Sequence, residues 1–281
     1  MNIETALKKA FLDLKNKNIK SALLDSEILM SKVLKEDRGS VLLSLERSIS
    51  NKDYKNFREL ISNRLKNKPI AYLTGQKSFW KYDFQINDKV LIPRPDSELI
   101  VEHALKIYED KQKIKLLEVG VGSGCLILSI LKERKSFLGA GVDLSKDCIN
   151  ICQINAIKLR VQNRLKLFKT DIDNFNLGKY DLIVSNPPYI KKLDFKKLNK
   201  DVTNYEPKLA LDGGLDGLSK IRKVIEKSSE LIKLNGKLIL EIAHDQRDMV
   251  KNILIKNGFF VNRVVKDLNK NDRCIMCTRI K

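Results

Sequence analysis

The tetrapeptide Asn186-Pro187-Pro188-Tyr189 follows the apolar run Leu182, Ile183, Val184. Tyr180 to Val184 reads as a buried strand, and two prolines cannot continue a ladder, so the chain must leave the sheet at Asn186. An amide side chain and an aromatic ring are then displayed at the carboxyl edge of a sheet, where open α/β folds bind ligands. There Asn186, the backbone carbonyls beside it and Tyr189 can hold a flat NH2 group, accepting its hydrogens and stacking on its plane. Such a grip serves reaction at an amino nitrogen. The same residues would also make a plain strand-ending turn, since Asn-Pro and Pro-Pro are common punctuation, and the motif by itself leaves both readings open.

A second group lies upstream, where Lys115 to Val119 passes through Glu118-Val119-Gly120-Val121-Gly122-Ser123-Gly124 into the helical run Cys125 to Leu131. Glycines let the backbone approach a ligand closely, and the helix amino terminus offers free N–H groups. The spacing departs from the Gly-x-Gly-x-x-Gly of dinucleotide sites, and Glu118 would repel a pyrophosphate while pairing with an ammonium group. The expected ligand is therefore an amino acid joined to a nucleoside. Asp143 stands about 20 residues beyond the glycine turn, where an acid accepts both ribose hydroxyls. Asp171 closes the third strand, placed to take an adenine amino group while Ile172 covers the ring. Each acid also reads as an N-cap or turn former. Glu118, Gly120, Val121, Gly122, Ser123, Gly124, Asp143, Asp171 and Ile172 together outline a site for S-adenosylmethionine, and the fourth strand delivers Asn186 beside its methyl group.

These residues need a sheet to carry them. After Lys113 the chain alternates strand and helix, with strands expected at Lys115 to Val119, Leu138 to Val142, Leu165 to Lys169, Tyr180 to Val184, Lys237 to Ile242, Phe259 to Val265 and Arg273 to Ile280. Seven strands in this rhythm predict an α/β fold with a doubly wound, Rossmann-like sheet. The last two are separated only by the polar turn Asp267 to Asp272, so they should pair antiparallel at the sheet edge. The front of the chain is different. Ile3, Ala6, Leu7, Ala10, Phe11 and Leu14 share a helix face, Leu23, Leu24, Glu27, Ile28, Met30, Ser31 and Leu34 continue a second helix, and two more are expected around Val41 to Leu45 and from about Lys52 to Leu65. Alternation in Phe79 to Ile86, a turn at Asn87-Asp88 and the run Val90, Leu91, Ile92 predict a β-hairpin. Pro93, Pro95 and Asp96 end it, with Asp96 as N-cap of a helix from Ser97 to about Tyr108. The expected organisation is a helical domain over 1–70, a β-hairpin linker over 71–95 and the sheet domain over 96–281.

A chain of 281 residues with 43% apolar composition can build a real core. No run approaches the roughly 20 apolar residues of a membrane span, and the amino-terminal helix lacks a signal-peptide apolar region, so a soluble protein outside the membrane is expected. Five irregularly spaced cysteines form no disulfide framework and suit a reducing compartment. Cys274-Ile275-Met276-Cys277 has redox or zinc spacing, but residues three apart in a strand face opposite ways, and Cys148 with Cys152 lacks further ligands, so no metal is expected. His103 and His244 are the only histidines, and neither is expected to serve as a catalytic base. The formal charge of +19 would favour anionic partners. Its lysines are scattered without an arginine cluster, so base-composition drift competes with a dedicated basic patch, and direct nucleic-acid binding is not expected.

The acidic glycine turn, Asp143, Asp171 and Asn186 to Tyr189 resemble the class I S-adenosylmethionine-dependent methyltransferases that act on amino nitrogens. From Ala71 onward the chain carries, in order, Tyr72-Leu73-Thr74-Gly75, Phe79-Trp80, Leu91-Ile92-Pro93-Arg94-Pro95-Asp96-Ser97-Glu98, Tyr205-Glu206-Pro207 with Ala210-Leu211, Gly213-Gly214-Leu215-Asp216-Gly217-Leu218, Glu241-Ile242, Gln246 and Asp272-Arg273. This set is similar to the peptide chain release factor glutamine methyltransferases. The resemblance implies methyl transfer to the side-chain amide nitrogen (N5) of the glutamine in a release factor's Gly-Gly-Gln loop, modulating translation termination. It further implies that residues 1–70 bind substrate and that a monomeric enzyme works in the cytoplasm. Asn186, Pro187 and Tyr189 are implied as catalytic, and Asn186, Pro187, Pro188 and Tyr189 as substrate-binding. The Asn186 oxygen and the Pro187 carbonyl would accept the two amide hydrogens while Tyr189 packs on the amide plane, aiming the nitrogen at the methyl for in-line displacement. A relative acting on a ribosomal protein glutamine shares the motif. An adenine-N6 methyltransferase of DNA or RNA is the third reading, opposed by the lack of a target-recognition domain or serial stacking aromatics. The family usually has Asp at the position of Glu118 and Thr at those of Val121 and Ser97, so a local readjustment at Glu118 and a lost hydroxyl at Val121 are expected.

Overall fold

Helical patterning dominates the front of the chain, and the computed structural model, which describes residues 1–108 and 113–281, shows helices there: α1 (Ile3–Asn16), α2 (Ala22–Leu34), α3 (Arg38–Leu43), α4 (Asn51–Leu65) and α5 (Ile70–Thr74). Asn2, Asp37 and Ser50 cap α1, α3 and α4 by accepting the backbone N–H three residues on. Ile3, Ala6, Leu7, Ala10 and Leu14 of α1 are buried with Leu29 and Met30 of α2 and Phe57 and Ile61 of α4. The buried face of α2 differs from the apolar pattern, because Leu23 and Leu24 are exposed while Asp25 and Glu27 turn inward. Their partners lie far along the chain: Arg64 Nε donates to Asp25 at 2.7 Å and Arg38 Nε to Glu27 at 2.6 Å. Hydropathy alone does not reveal such pairs.

The hairpin forms from β1 (Gln76–Phe79) and β2 (Tyr82–Gln85), earlier than the alternation predicts, with its turn at Trp80-Lys81 instead of Asn87-Asp88. Trp80 takes a left-handed φ of 57°, unusual for a bulky residue. Tertiary contacts hold it there: its backbone N–H donates to Glu98 at 2.7 Å, its indole N–H to Glu133 at 3.1 Å, and the Tyr82 hydroxyl to Glu133 at 2.9 Å. Val90 and Ile92 are buried without entering a strand. Asp96 caps no helix. Pro95 opens a 3-10 turn, Pro95–Ser97, ahead of α6 (Glu98–Ile107), so Asp96 falls inside that turn and lies 3.4 Å from Arg273.

From there strand and helix alternate: β3 (Lys115–Val119), α7 (Cys125–Glu133), β4 (Leu138–Asp143), α8 (Lys146–Lys158), β5 (Leu165–Lys169), β6 (Tyr180–Ser185), α9 (Lys200–Tyr205), α10 (Ser219–Leu231), β7 (Ile232–Glu241), α11 (Arg247–Lys256), β8 (Phe259–Lys266) and β9 (Asp272–Arg279). All seven expected strands lie in one sheet, ordered β5-β4-β3-β6-β7-β9-β8. The first five are parallel, and β9 runs antiparallel to both β7 and β8. Side chains alternate between two apolar layers. Leu116, Leu182, Val184 and Cys274 pack with α6, α7 and α8, whereas Leu117, Ile183, Leu238 and Cys277 pack with α10 and α11. Cys274 and Cys277 therefore face opposite layers, both buried and free.

The described residues divide into two compact units, Met1–Gln76 with Asn199–Tyr205, and Lys77–Leu198 with Glu206–Lys281. Within the first, the Tyr205 hydroxyl donates to the Lys66 carbonyl at 2.9 Å. Arg64→Ala is expected to destabilise this unit by about 3 kcal/mol or more, since it leaves the Asp25 carboxylate buried without its partner. Replacing both, as Asp25→Leu with Arg64→Met, should cost far less. Urea denaturation followed by circular dichroism compares them, and equal losses would show that pairing is not what the burial depends on.

Candidate active site

Strand alternation turns Glu118 toward the α7 layer, where its Oε2 accepts the Ile127 N–H at 2.9 Å. The residue is 1% exposed, and no salt bridge reaches it among the described residues. Burial pushes its carboxyl well above the ordinary carboxylate range; the Ile127 N–H opposes that shift and the nearby Asp143 adds to it.

The turn that follows needs its glycines, since Gly120, Gly122 and Gly124 have φ of 77°, 51° and 80°. Strand β4 holds it: the Gly120 and Val121 N–H groups donate to the Val142 carbonyl at 2.9 and 3.2 Å. Asp143 then accepts the Gly122 N–H at 3.0 Å on one oxygen and the Ser145 N–H at 2.8 Å on the other. Burial raises the Asp143 carboxyl, and these N–H groups hold it back. The Leu144 N–H and the Cys148 thiol also lie against this carboxylate. Val121 fills the space left by Gly141, whose added Cβ would sit 2.5 Å from Val121 Cγ1. Among the described residues Ser123 Oγ is buried with no well-formed hydrogen bond, and the Cys125 thiol is its polar neighbour.

Asp171 caps the 3-10 turn Ile172–Asn174, accepting the Asp173 N–H at 3.1 Å. Beyond β6 the chain leaves the sheet at Asn186, with no cis peptide bond among the described residues. Asn186 Nδ2 donates to Ser97 Oγ at 2.9 Å, and Ser97 Oγ donates to Glu241 Oε2. The Tyr189 hydroxyl donates to the other oxygen, Glu241 Oε1, at 3.0 Å. Glu241 ends β7 and is 1% exposed; burial raises its carboxyl, while the two hydroxyls and the Arg273 guanidinium draw it down. Burial and Glu241 in turn raise the Tyr189 phenol. Gln246 secures the backbone behind, its Nε2 donating to the carbonyls of Tyr189 at 3.2 Å and Gly217 at 3.0 Å. Gly213 must be glycine there, since a Cβ would lie 2.8 Å from Tyr189 Cα.

One cavity of about 230 Å³ gathers Glu118, Gly120, Val121, Gly122, Ser123, Asp143, Asp171, Ile172, Asn186, Pro187 and Pro188. Two residues expected in the site lie outside its lining. Gly124 sits behind the turn, where an added Cβ would meet Cys152 Sγ at 2.6 Å, and Tyr189 is drawn back by its bond to Glu241. The lining also includes Leu91, Arg94, Leu209 and Ala210, with Ser97 next to Asn186. Glu206, 5% exposed, accepts from Arg94 and from the Ile92 N–H at 3.3 Å. Ser97, Glu206 and Glu241 carry no role in residue-by-residue reading. For Glu241 a signal existed, since it is an acid at the carboxyl end of a strand, as Glu118 and Asp143 are.

Comparison with known proteins gives concordant matches. Residues 5–75 match the family model of the PrmC N-terminal domain, and residues 95–209 that of a methyltransferase small domain. A release factor glutamine methyltransferase of Clostridium acetobutylicum is 37% identical over 282 residues, covering 99% of each chain. Another, of Fusobacterium nucleatum, is 35% identical over 272 residues, covering 95% of this chain and 76% of that one. Among solved structures, a methyltransferase from Pyrococcus furiosus aligns with a TM-score of 0.55 over 81% of this chain and 100% of that one, at 19% identity, a likeness of fold alone.

The Glu118 environment has a measurable consequence. An acid whose folded pKa is raised loses stability for the fold as pH climbs from its unfolded value, about 4.3, to the folded one. Glu118→Gln keeps the acceptor for Ile127 and removes the charge. The ligand-free variant should therefore melt higher than wild type at neutral pH, with the difference shrinking toward pH 4. A difference independent of pH in thermal melts would show that the buried charge is not its source.

Proposed function

The chain belongs to the release factor glutamine methyltransferase family, and on that premise we propose that it transfers the methyl group of S-adenosylmethionine to the N5 amide nitrogen of the glutamine in a release factor's Gly-Gly-Gln loop, modulating translation termination. The observation that carries the reading is that Asn186 shares one cavity with Glu118, the glycine turn and Asp143. Two features fit this cofactor. Among the described residues Glu118 is a buried acid with no salt bridge, and an α-ammonium group would provide its counter-charge. Ser123 Oγ is a buried hydroxyl with no well-formed hydrogen bond, the Cys125 thiol being its polar neighbour. We assign the amino-acid end to Glu118, the backbone of Gly120 to Gly122 and Ser123. Asp143 takes the ribose hydroxyls, and Asp171 with Ile172 takes the adenine. Gly124 contributes from behind by letting α7 close on Cys152.

When bound, S-adenosylmethionine supplies an electrophilic methyl group on a sulfonium. The chain's work is on the acceptor. A carboxamide nitrogen is a weak nucleophile because its lone pair is delocalised into the carbonyl. Asn186 and the Pro187 carbonyl accept the two hydrogens of the glutamine NH2 and hold the nitrogen in line, while Pro188 walls the cavity. Orientation and matched polar groups carry the rate, with no covalent intermediate. Tyr189 holds the loop through Glu241. The helical unit is proposed to engage the release factor, and the enzyme to act as a cytoplasmic monomer. No helix among the described residues is long and apolar enough to cross a membrane.

The test incubates the protein and labelled S-adenosylmethionine with a release factor, the same factor with its loop glutamine replaced, a ribosomal protein, and DNA. Label is expected on the intact factor alone. Label that survives the replacement, or that appears on ribosomal protein or DNA instead, moves the substrate to one of the other classes. Asn186→Ala should lower kcat by roughly two to three orders of magnitude with cofactor affinity nearly intact. Asp143→Ala should instead weaken cofactor binding, because it removes the ribose acceptor and frees the Gly122 and Ser145 N–H groups it organises. Calorimetry showing unchanged affinity in that variant would remove the ribose assignment.

A further inference from the structure

The geometry points to Ser97 and Glu241 as positioning residues that decide which end of the Asn186 amide faces the acceptor nitrogen. This rests on the reading above, in which Asn186 accepts a hydrogen from the substrate amide. An asparagine side chain is nearly symmetric in shape, and its two ends differ only in hydrogen bonding. A flip would present an NH2 group to an NH2 group, and the grip would be lost. Something outside Asn186 must therefore set its direction.

The direction is set from Glu241. In its charged form, which Ser97, Tyr189 and Arg273 favour against burial, it only accepts, and each oxygen takes one hydroxyl, Ser97 on Oε2 and Tyr189 on Oε1. Ser97 has a single proton and spends it on Glu241, so what it turns to Asn186 is a lone pair. Asn186 must answer with Nδ2, 2.9 Å away, which leaves Oδ1 as the amide atom free to accept from the substrate. The polarity runs one way, from a charge buried at the end of β7 to the cavity wall. Ser97 is 2% and Glu241 1% exposed, so water does not compete within the chain of bonds. Arg273 lies close enough to favour the charged form, and is itself held by Asp267 at 3.0 Å and Asp96 at 3.4 Å. A hydroxyl is all that position 97 needs.

Reversing the polarity tests this. In Glu241→Gln the Tyr189 hydroxyl keeps its acceptor only if the new amide nitrogen points at Ser97. Ser97 must then donate to Asn186, which flips the Asn186 amide. Glu241→Gln should lower kcat by about 100-fold, and so should Asn186→Asp alone, which sets a carboxylate against the Ser97 lone pair. The two changes together should regain at least about tenfold over either single variant, because the reversed Ser97 now donates to the introduced carboxylate, whose second oxygen still accepts. Ser97→Ala should lower kcat by about 10- to 100-fold with unchanged cofactor affinity, and Ser97→Thr should restore it. Wild-type turnover in Glu241→Gln, or a combination no better than the worse single variant, would overturn the inference. A readout independent of turnover is amide hydrogen exchange at Asn186 in nitrogen-15-labelled protein. One Nδ2 proton should be protected in wild type and unprotected in Ser97→Ala, and equal exchange in both would also overturn it. If wild type fails to label a release factor, the substrate reading falls, while the exchange measurement still decides the network.

Discussion

The junction between β3 and β6 is the constraint on which the catalytic unit depends. The chain lays β4 and β5 on one side of β3 and then returns to place β6 on the other, so the connections diverge and open a crevice at the carboxyl ends. Register makes that crevice a site. Val119 pairs with Val142 on one side and with Ser185 on the other, which brings the three strand ends level. Gly120, Asp143 and Asn186 therefore stand side by side at the carboxyl edge of the sheet, although they are widely separated in sequence. A slip of one residue in either ladder would turn each functional side chain to the wrong layer.

Burial of acids at these strand ends divides the site into two electrostatic halves. Glu118 and Asp143 are raised by desolvation and are met by backbone N–H groups and, at Asp143, by the Cys148 thiol. Neither has a salt bridge among the described residues, so their environment favours a ligand that brings hydrogen-bond donors or positive charge. Glu241 is equally buried but is met by two hydroxyls and neighboured by Arg273. The first half is prepared for binding, at some cost to the ligand-free fold. The second is already satisfied internally, which is the condition for holding a neighbouring side chain in one orientation.

Much of this architecture was legible because its signals are local. Apolar runs of strand length bounded by glycine and proline located all seven strands, and the short polar turn before Asp272 required an antiparallel pair. The misreadings have two causes. The hairpin turn sits at Trp80 because Glu98 and Glu133 hold it there. The inner face of α2 carries Asp25 and Glu27 because Arg64 and Arg38 meet them. Asp96 leaves the cap position because Pro95 begins the turn before it. In the first two cases a distant polar partner outweighs the local preference, and in the third a 3-10 turn displaces the expected cap by one residue. Neither is visible to periodicity.

By itself the sequence determined the fold class, the glycine turn, the acids at the strand ends and the presence of an amide at the edge of a parallel sheet, since each follows from residue types within a few positions of one another. Only the tertiary structure decided that Gly124 and Tyr189 fall outside the cavity lining, that Glu206 ties Arg94 to the Ile92 backbone, and that Ser97 and Glu241 bond to Asn186 and Tyr189. The physical reason is separation along the chain. Ser97, Asn186 and Glu241 come from three different elements, and the direction of the hydrogen bonds among them exists only once packing has brought those elements together and excluded water.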